Sequence, residues 1–80
     1  MARVHFPDNV LPYTGGVREA VVAARTVRDL LRELEARYPG CHETLDRASV
    51  AIDGQIYQDA FLEPLGTNSE VHFLPRIEGG

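Results

Sequence analysis

An α+β fold, with a mixed sheet covered on one face by one main helix, is predicted by three features of this 80-residue sequence. Segments of period-two alternation stand near both ends, and one long pattern of helical period lies between them. Turns rich in Gly, Pro, Asn and Asp separate the remaining short apolar runs.

Residues Arg3 to Pro7 place Val4 and Phe6 on one side and Arg3 and His5 on the other, the alternation of a half-buried strand, which Pro7 closes. Asp8 to Gly16 is dense in turn formers and reads as a loop whose Gly15-Gly16 pair reverses the chain. Val17 to Ala24, with β-branched residues at Val17, Val21 and Val22, reads as a second strand forming a long hairpin with the first.

A helix follows from Val27 to about Tyr38. Thr26 is its N-cap, and Asp29 three residues later makes a weaker form of the capping box. Val27, Leu30, Leu31, Leu34 and Tyr38 form one apolar stripe, Arg28, Arg32, Glu33, Glu35 and Arg37 face water, and Pro39-Gly40 stops the helix. Cys41 to Ala48 reads as a loop or short turn. Ser49 to Ile52 is a short strand, Asp53-Gly54 a tight hairpin turn, and Gln55 to Tyr57 the returning strand. A single turn at Leu62 to Leu65 and a loop at Gly66 to Ser69 lead to the last strand, Glu70 to Leu74.

The order β-β-α-β-β-β describes a β-grasp, or ubiquitin-like, fold. In such a fold the first and last strands run parallel in the centre, which sets Val4, Phe6, Val71 and Phe73 under the helix. His5, His72 and Leu74 then face solvent or a partner. Residues 1–75 are expected to form the domain and residues 76–80 a flexible tail.

Composition narrows the function. A chain of this length buries only roughly 60–65% of the surface its unfolded form exposes, so a deep catalytic cleft is not expected. A net charge of −4 with no cluster of basic residues argues against a nucleic-acid partner. The single Cys41 cannot form an internal disulfide, a four-Cys zinc site or a four-Cys iron–sulfur cluster. No apolar run approaches the ~20 residues that span a bilayer, and the N-terminus lacks a signal pattern, so a soluble, cytoplasmic protein without a membrane role is expected.

The chemistry is expected at the C-terminus. After the last strand come Pro75-Arg76-Ile77-Glu78-Gly79-Gly80, and the five residues beyond Pro75 reach roughly 17 Å when extended. Two terminal glycines let the backbone pass a narrow channel and offer the Gly80 carboxylate to another protein's active site. A bare Gly-Gly can equally be a frayed end. Its position directly after the last strand of a β-grasp pattern makes it informative.

With Val4-His5-Phe6 in the first strand, the Thr14-Gly15-Gly16 loop, Thr26 to Leu31 opening the helix and Ala36 to Gly40 closing it, the chain resembles the ubiquitin-like sulfur carriers of the MoaD/ThiS family. The resemblance spans essentially the whole chain. It is strongest from Glu70-Val71-His72-Phe73-Leu74-Pro75 through Gly79-Gly80. It implies that an E1-like adenylating enzyme uses ATP to activate the Gly80 carboxylate. A sulfur donor then displaces AMP to leave a thiocarboxylate. The chain itself is then no enzyme and binds no cofactor or metal, although it can be the small subunit of a sulfur-transferring synthase.

Arg76, Ile77, Glu78 and Gly79 would enter the partner's active site, and Pro7, Ile56 and Leu74 would dock the partner. Length and helix size resemble the carriers of molybdopterin (molybdenum cofactor) synthesis, whose acceptor is the large synthase subunit. Thr14-Gly15-Gly16 after Leu11-Pro12-Tyr13 also resembles carriers serving cysteine or secondary-metabolite synthesis, with a cysteine-synthase-like acceptor, while carriers of the thiamin pathway, whose acceptor is thiazole-synthase-like, are usually shorter. Arg76 stands where the molybdopterin type often has a second Pro, and Asp53-Gly54 where it often has Val-Asn.

Other residues have plainer readings. Scattered surface apolar groups such as Ile56 and Leu74 need no explanation by themselves. His5 and His72, neighbours across the central strands, invite a metal or pH-switch reading, but without a Cys or a third converging His they are a thin site, and His42 lies in a distant loop. Cys41 has only the adjacent His42 as a base and reads as a buried or incidental thiol. Two other functions compete. One is a protein modifier conjugated through Gly80, which could not build lysine-linked chains on itself because all eight basic residues are Arg. The other is a β-grasp binding module whose tail has no covalent role.

Overall fold

A computed structural model describes residues 1–74. Five strands form one sheet: β1 (Ala2–His5), β2 (Glu19–Val22), β3 (Ser49–Ile52), β4 (Gln55–Tyr57) and β5 (Glu70–Leu74), in the spatial order β2-β1-β5-β3-β4. β1 and β5 pair in parallel, while the β1–β2, β3–β5 and β3–β4 pairs are antiparallel. This is a β-grasp fold, with the expected parallel pair inside the sheet.

The sheet's inner face is read directly from alternation. Val4, Phe6, Val22, Val50, Ile52, Val71 and Phe73 are buried under α2 (Val27–Arg37), which contributes Val27, Leu30, Leu31 and Leu34. Tyr38, just past the helix, packs edge-on against Phe6 with ring centroids 5.7 Å apart. Thr26 caps α2 as expected: its hydroxyl oxygen accepts from the Asp29 N–H at 3.2 Å. Two further N–H groups of the first turn, on Val27 and Arg28, donate to the carbonyls of Glu63 and Phe61. The long connection before β5 thereby closes the helix end that would otherwise be unsatisfied.

Three elements differ from the sequence reading. The stretch from Asp8 to Gly16 is a 3-10 helix (Asp8–Val10) running into α1 (Leu11–Thr14). Pro12 sits in the first turn, where its missing N–H costs nothing, and Gly15 ends α1 in the left-handed region at φ 68°. Turn-forming residues mask this helix locally, and burial of Val10 and Thr14 holds it. β2 is shorter than Val17 to Ala24. Val17 is tied into the turn after α1, its N–H donating to the Thr14 carbonyl and its own carbonyl accepting from the Thr14 hydroxyl. At the other end, Val22 already faces Ala2, where β1 begins, so Ala23 and Ala24 have no partner strand.

The third difference is α3 (Cys41–Asp46), which replaces the expected loop. Cys41 and Leu45, one turn apart, are buried, and the Glu35 carboxylate accepts from the N–H groups of Gly40 at 2.8 Å and His42 at 2.9 Å. These hydrogen bonds hold the Glu35 carboxyl below the usual carboxylate range. The Asp53-Gly54 turn is as expected, with positive φ at both residues, 49° and 88°. No helix among the described residues is long and apolar enough to cross a membrane.

Candidate functional site

The face of the sheet away from α2 carries the residues the sequence singled out. Strand register lays them in one row, with Glu19 opposite His5, His5 opposite His72, His72 opposite Ala51, and Ala51 opposite Ile56. Residues directly opposite on paired strands share a face. His72 and Leu74 are exposed along β5, as period two requires, and Ile56, on the edge strand β4, is 60% exposed.

The centre of this face is polar. The imidazoles of His5 and His72 stack with centroids 4.1 Å apart and planes within 5° of parallel. His5 Nε2 lies 2.8 Å from Glu70 Oε2 in a hydrogen bond, and His5 Nδ1 lies 3.4 Å from Glu19 Oε2. The other Glu70 oxygen is 3.7 Å from the Arg3 guanidinium. Glu70 escaped the sequence reading. Its place two residues before His72 on one strand already set both on the same face, and only the parallel register of β1 against β5 brought His5 to it.

Leu74 and Pro7 both stand at one end of the row. With His5, Phe6, Asp8, Asn9, His72 and Phe73 they line a shallow cleft of about 500 Å³. Ile56 lies across the sheet from this cleft, beyond Ala51. The three apolar residues proposed for docking therefore flank the histidines without forming one continuous patch. The tail residues Arg76, Ile77, Glu78, Gly79 and Gly80, and the boundary at Pro75, lie outside the described residues.

Cys41 is 0% exposed, and burial, with the Glu35 charge as a second cause, pushes its thiol up from the ordinary value. Such a thiol is a poor nucleophile at neutral pH. His42 is its neighbour on α3, well separated in the chain from the histidines of the sheet.

The family model for the ThiS family matches residues 4–80. Among solved structures, the chain is similar to Mycobacterium tuberculosis CysO, described as an antigen, at 20% identity and a TM-score of 0.86, covering 96% of this chain and 100% of that one. It is similar to the Amycolatopsis orientalis BexX/CysO complex at 18% identity and a TM-score of 0.85, covering 100% of both chains. A putative molybdopterin converting factor subunit 1 from Pyrococcus furiosus aligns at 20% identity and a TM-score of 0.69, over 95% of this chain and 97% of that one. No curated protein matches the sequence. The family match runs from the second half of β1 through Gly80, on a fold these structures share, and so the chain belongs to the ThiS family of small ubiquitin-like sulfur carrier and modifier proteins.

Proposed function

We propose that this protein carries sulfur as a thiocarboxylate on Gly80. An E1-like enzyme joins the Gly80 carboxylate to the α-phosphate of ATP, releasing pyrophosphate. A sulfide equivalent from the donor then attacks the acyl carbon, and AMP leaves. The carrier contributes the carboxylate and its presentation, while the partners contribute catalysis. The observation that carries this reading is the ThiS family match extending to Gly79-Gly80, beyond a β5 whose last described residue, Leu74, lines the cleft with Pro7. In this reading Arg76, Ile77, Glu78 and Gly79 enter the partner's active site while Pro7, Ile56 and Leu74 dock against it, in the cytoplasm.

The acceptor is a sulfur-accepting synthase. Chain length and helix size support the molybdopterin synthase large subunit, Leu11 to Gly16 supports a cysteine-synthase-like enzyme, and a thiazole-synthase-like enzyme is the further alternative. Likeness to the solved structures bears on the fold alone and does not choose between them. Incubation with an activating enzyme, ATP and a sulfur donor, followed by mass spectrometry, should show oxygen replaced by sulfur at Gly80. Absence of that mass change sinks the proposal. Reconstitution with each class of acceptor then identifies the product. Gly80-dependent adducts on protein amines, without sulfur transfer, would instead indicate a modifier.

A further inference from the structure

We propose that His5, His72 and Glu70 form a binding site for a divalent metal ion of the zinc class on the open face of the sheet. Their ligand atoms, one imidazole nitrogen from each histidine and one carboxylate oxygen, all lie within 4.8 Å of one another. A tetrahedral zinc ion with bonds of about 2.0–2.1 Å holds its ligand atoms roughly 3.3–3.4 Å apart, so side-chain rotation that unstacks the two imidazoles is what closes the site.

Three features favour a metal over a mere polar cluster. First, the ligands stand on the paired strands β1 and β5 inside the sheet, with His5 and His72 in direct register, so the backbone fixes their spacing. The rings now stack, with 4.1 Å between centroids and 5° between planes, and because an imidazole nitrogen donates in its own ring plane, one ring must rotate out of the stack for both to reach one ion. Second, Glu70 Oε2 is already 2.8 Å from His5 Nε2, so the oxygen and nitrogen that would share the ion now share a proton. Third, Glu19 Oε2 sits 3.4 Å from His5 Nδ1, the nitrogen left over. Once an ion replaces the proton between Nε2 and Glu70, that carboxylate is placed to accept from the Nδ1–H, the outer-shell arrangement typical of metal-bound histidine.

The donor set suits zinc and its neighbours, since imidazole with one carboxylate is a borderline site that magnesium and calcium do not favour. Arg3 lies 3.7 Å from the far oxygen of Glu70, Oε1, so it does not compete for Oε2, the oxygen turned toward His5. His72 is exposed, so a coordination position remains open outward for water or a group from a docked partner. The third ligand is the carboxylate that a search for a cysteine or third histidine passes over.

Zinc chloride titrated into the full chain by calorimetry should bind at one equivalent. His5→Ala and His72→Ala should each weaken binding by about tenfold or more, Glu70→Gln should weaken it also, and His42→Ala should leave it unchanged. In the wild-type protein, zinc should shift the imidazole resonances of His5 and His72 and the amides near them, a readout that needs no variant. The proposal is overturned by an absence of such shifts, by binding unchanged in the His5→Ala/His72→Ala double variant, or by binding lost in His42→Ala.

Discussion

Gly40 holds its backbone at φ 99° with the ring of Tyr13 against its bare α-carbon, so that a Cβ there would lie 2.9 Å from Tyr13 Cδ1. Two costs therefore fall on any substitution, left-handed strain and a steric clash between α1 and the start of α3. Gly40→Ala should destabilise the protein by about 1–3 kcal/mol in urea unfolding. Tyr13 is half exposed and its ring can move, so the penalty should shrink when Gly40→Ala is made in a Tyr13→Ala background. An equal cost in both backgrounds would show that backbone strain alone is responsible.

Glu35 couples α2 to α3. Its carboxyl is held below the ordinary glutamate value by the Gly40 and His42 N–H groups, so the ionised form is favoured by folding. The resulting stabilisation is complete above that value and is lost as pH falls through the lower folded one. Denaturation midpoints followed from neutral into acid should therefore drop more for wild type than for Glu35→Gln, and parallel curves would contradict this.

Leu34 is fully buried against the sheet. Leu34→Ala removes its packing and leaves a cavity, at an expected cost of about 2–5 kcal/mol. Thermal unfolding should fall by roughly 4–8 °C for each kcal/mol in a domain of this size.

Cys41 has no outlet to solvent, so Cys41→Ala should retain sulfur transfer to Gly80 in the reconstituted reaction. Only a small stability loss, on the order of 1 kcal/mol, is expected. Loss of transfer by a folded Cys41→Ala variant would assign the thiol a chemical role.

Leu74 projects from the face opposite α2 and borders the Pro7 cleft. Leu74→Asp should leave the melting temperature nearly unchanged while weakening binding to the activating enzyme by about tenfold, near 1–2 kcal/mol. Deleting Gly80, or extending the chain past it with a tag, should abolish thiocarboxylate formation with the fold intact. Unimpaired binding by Leu74→Asp would remove this residue from the docking surface.

Much of this protein is legible in its sequence because much of it is periodic. Alternation in Arg3 to Phe6 and Glu70 to Leu74 separates the core face from the open face, and the stripe from Val27 to Leu34 marks α2. Thr26 and the Asp53-Gly54 pair mark a cap and a turn through local chemistry alone. The family resemblance likewise rests on residues readable in order along the chain. Periodicity could not show α1 and α3, because helices of four and six residues are unstable in isolation and exist here through burial of Val10, Cys41 and Leu45 and the hydrogen bonds that Gly40 and His42 donate to the Glu35 side chain. Nor could it bring Glu70 to His5. Strand register is set by packing between segments 65 residues apart, and only that pairing turns two histidines and a carboxylate into one cluster.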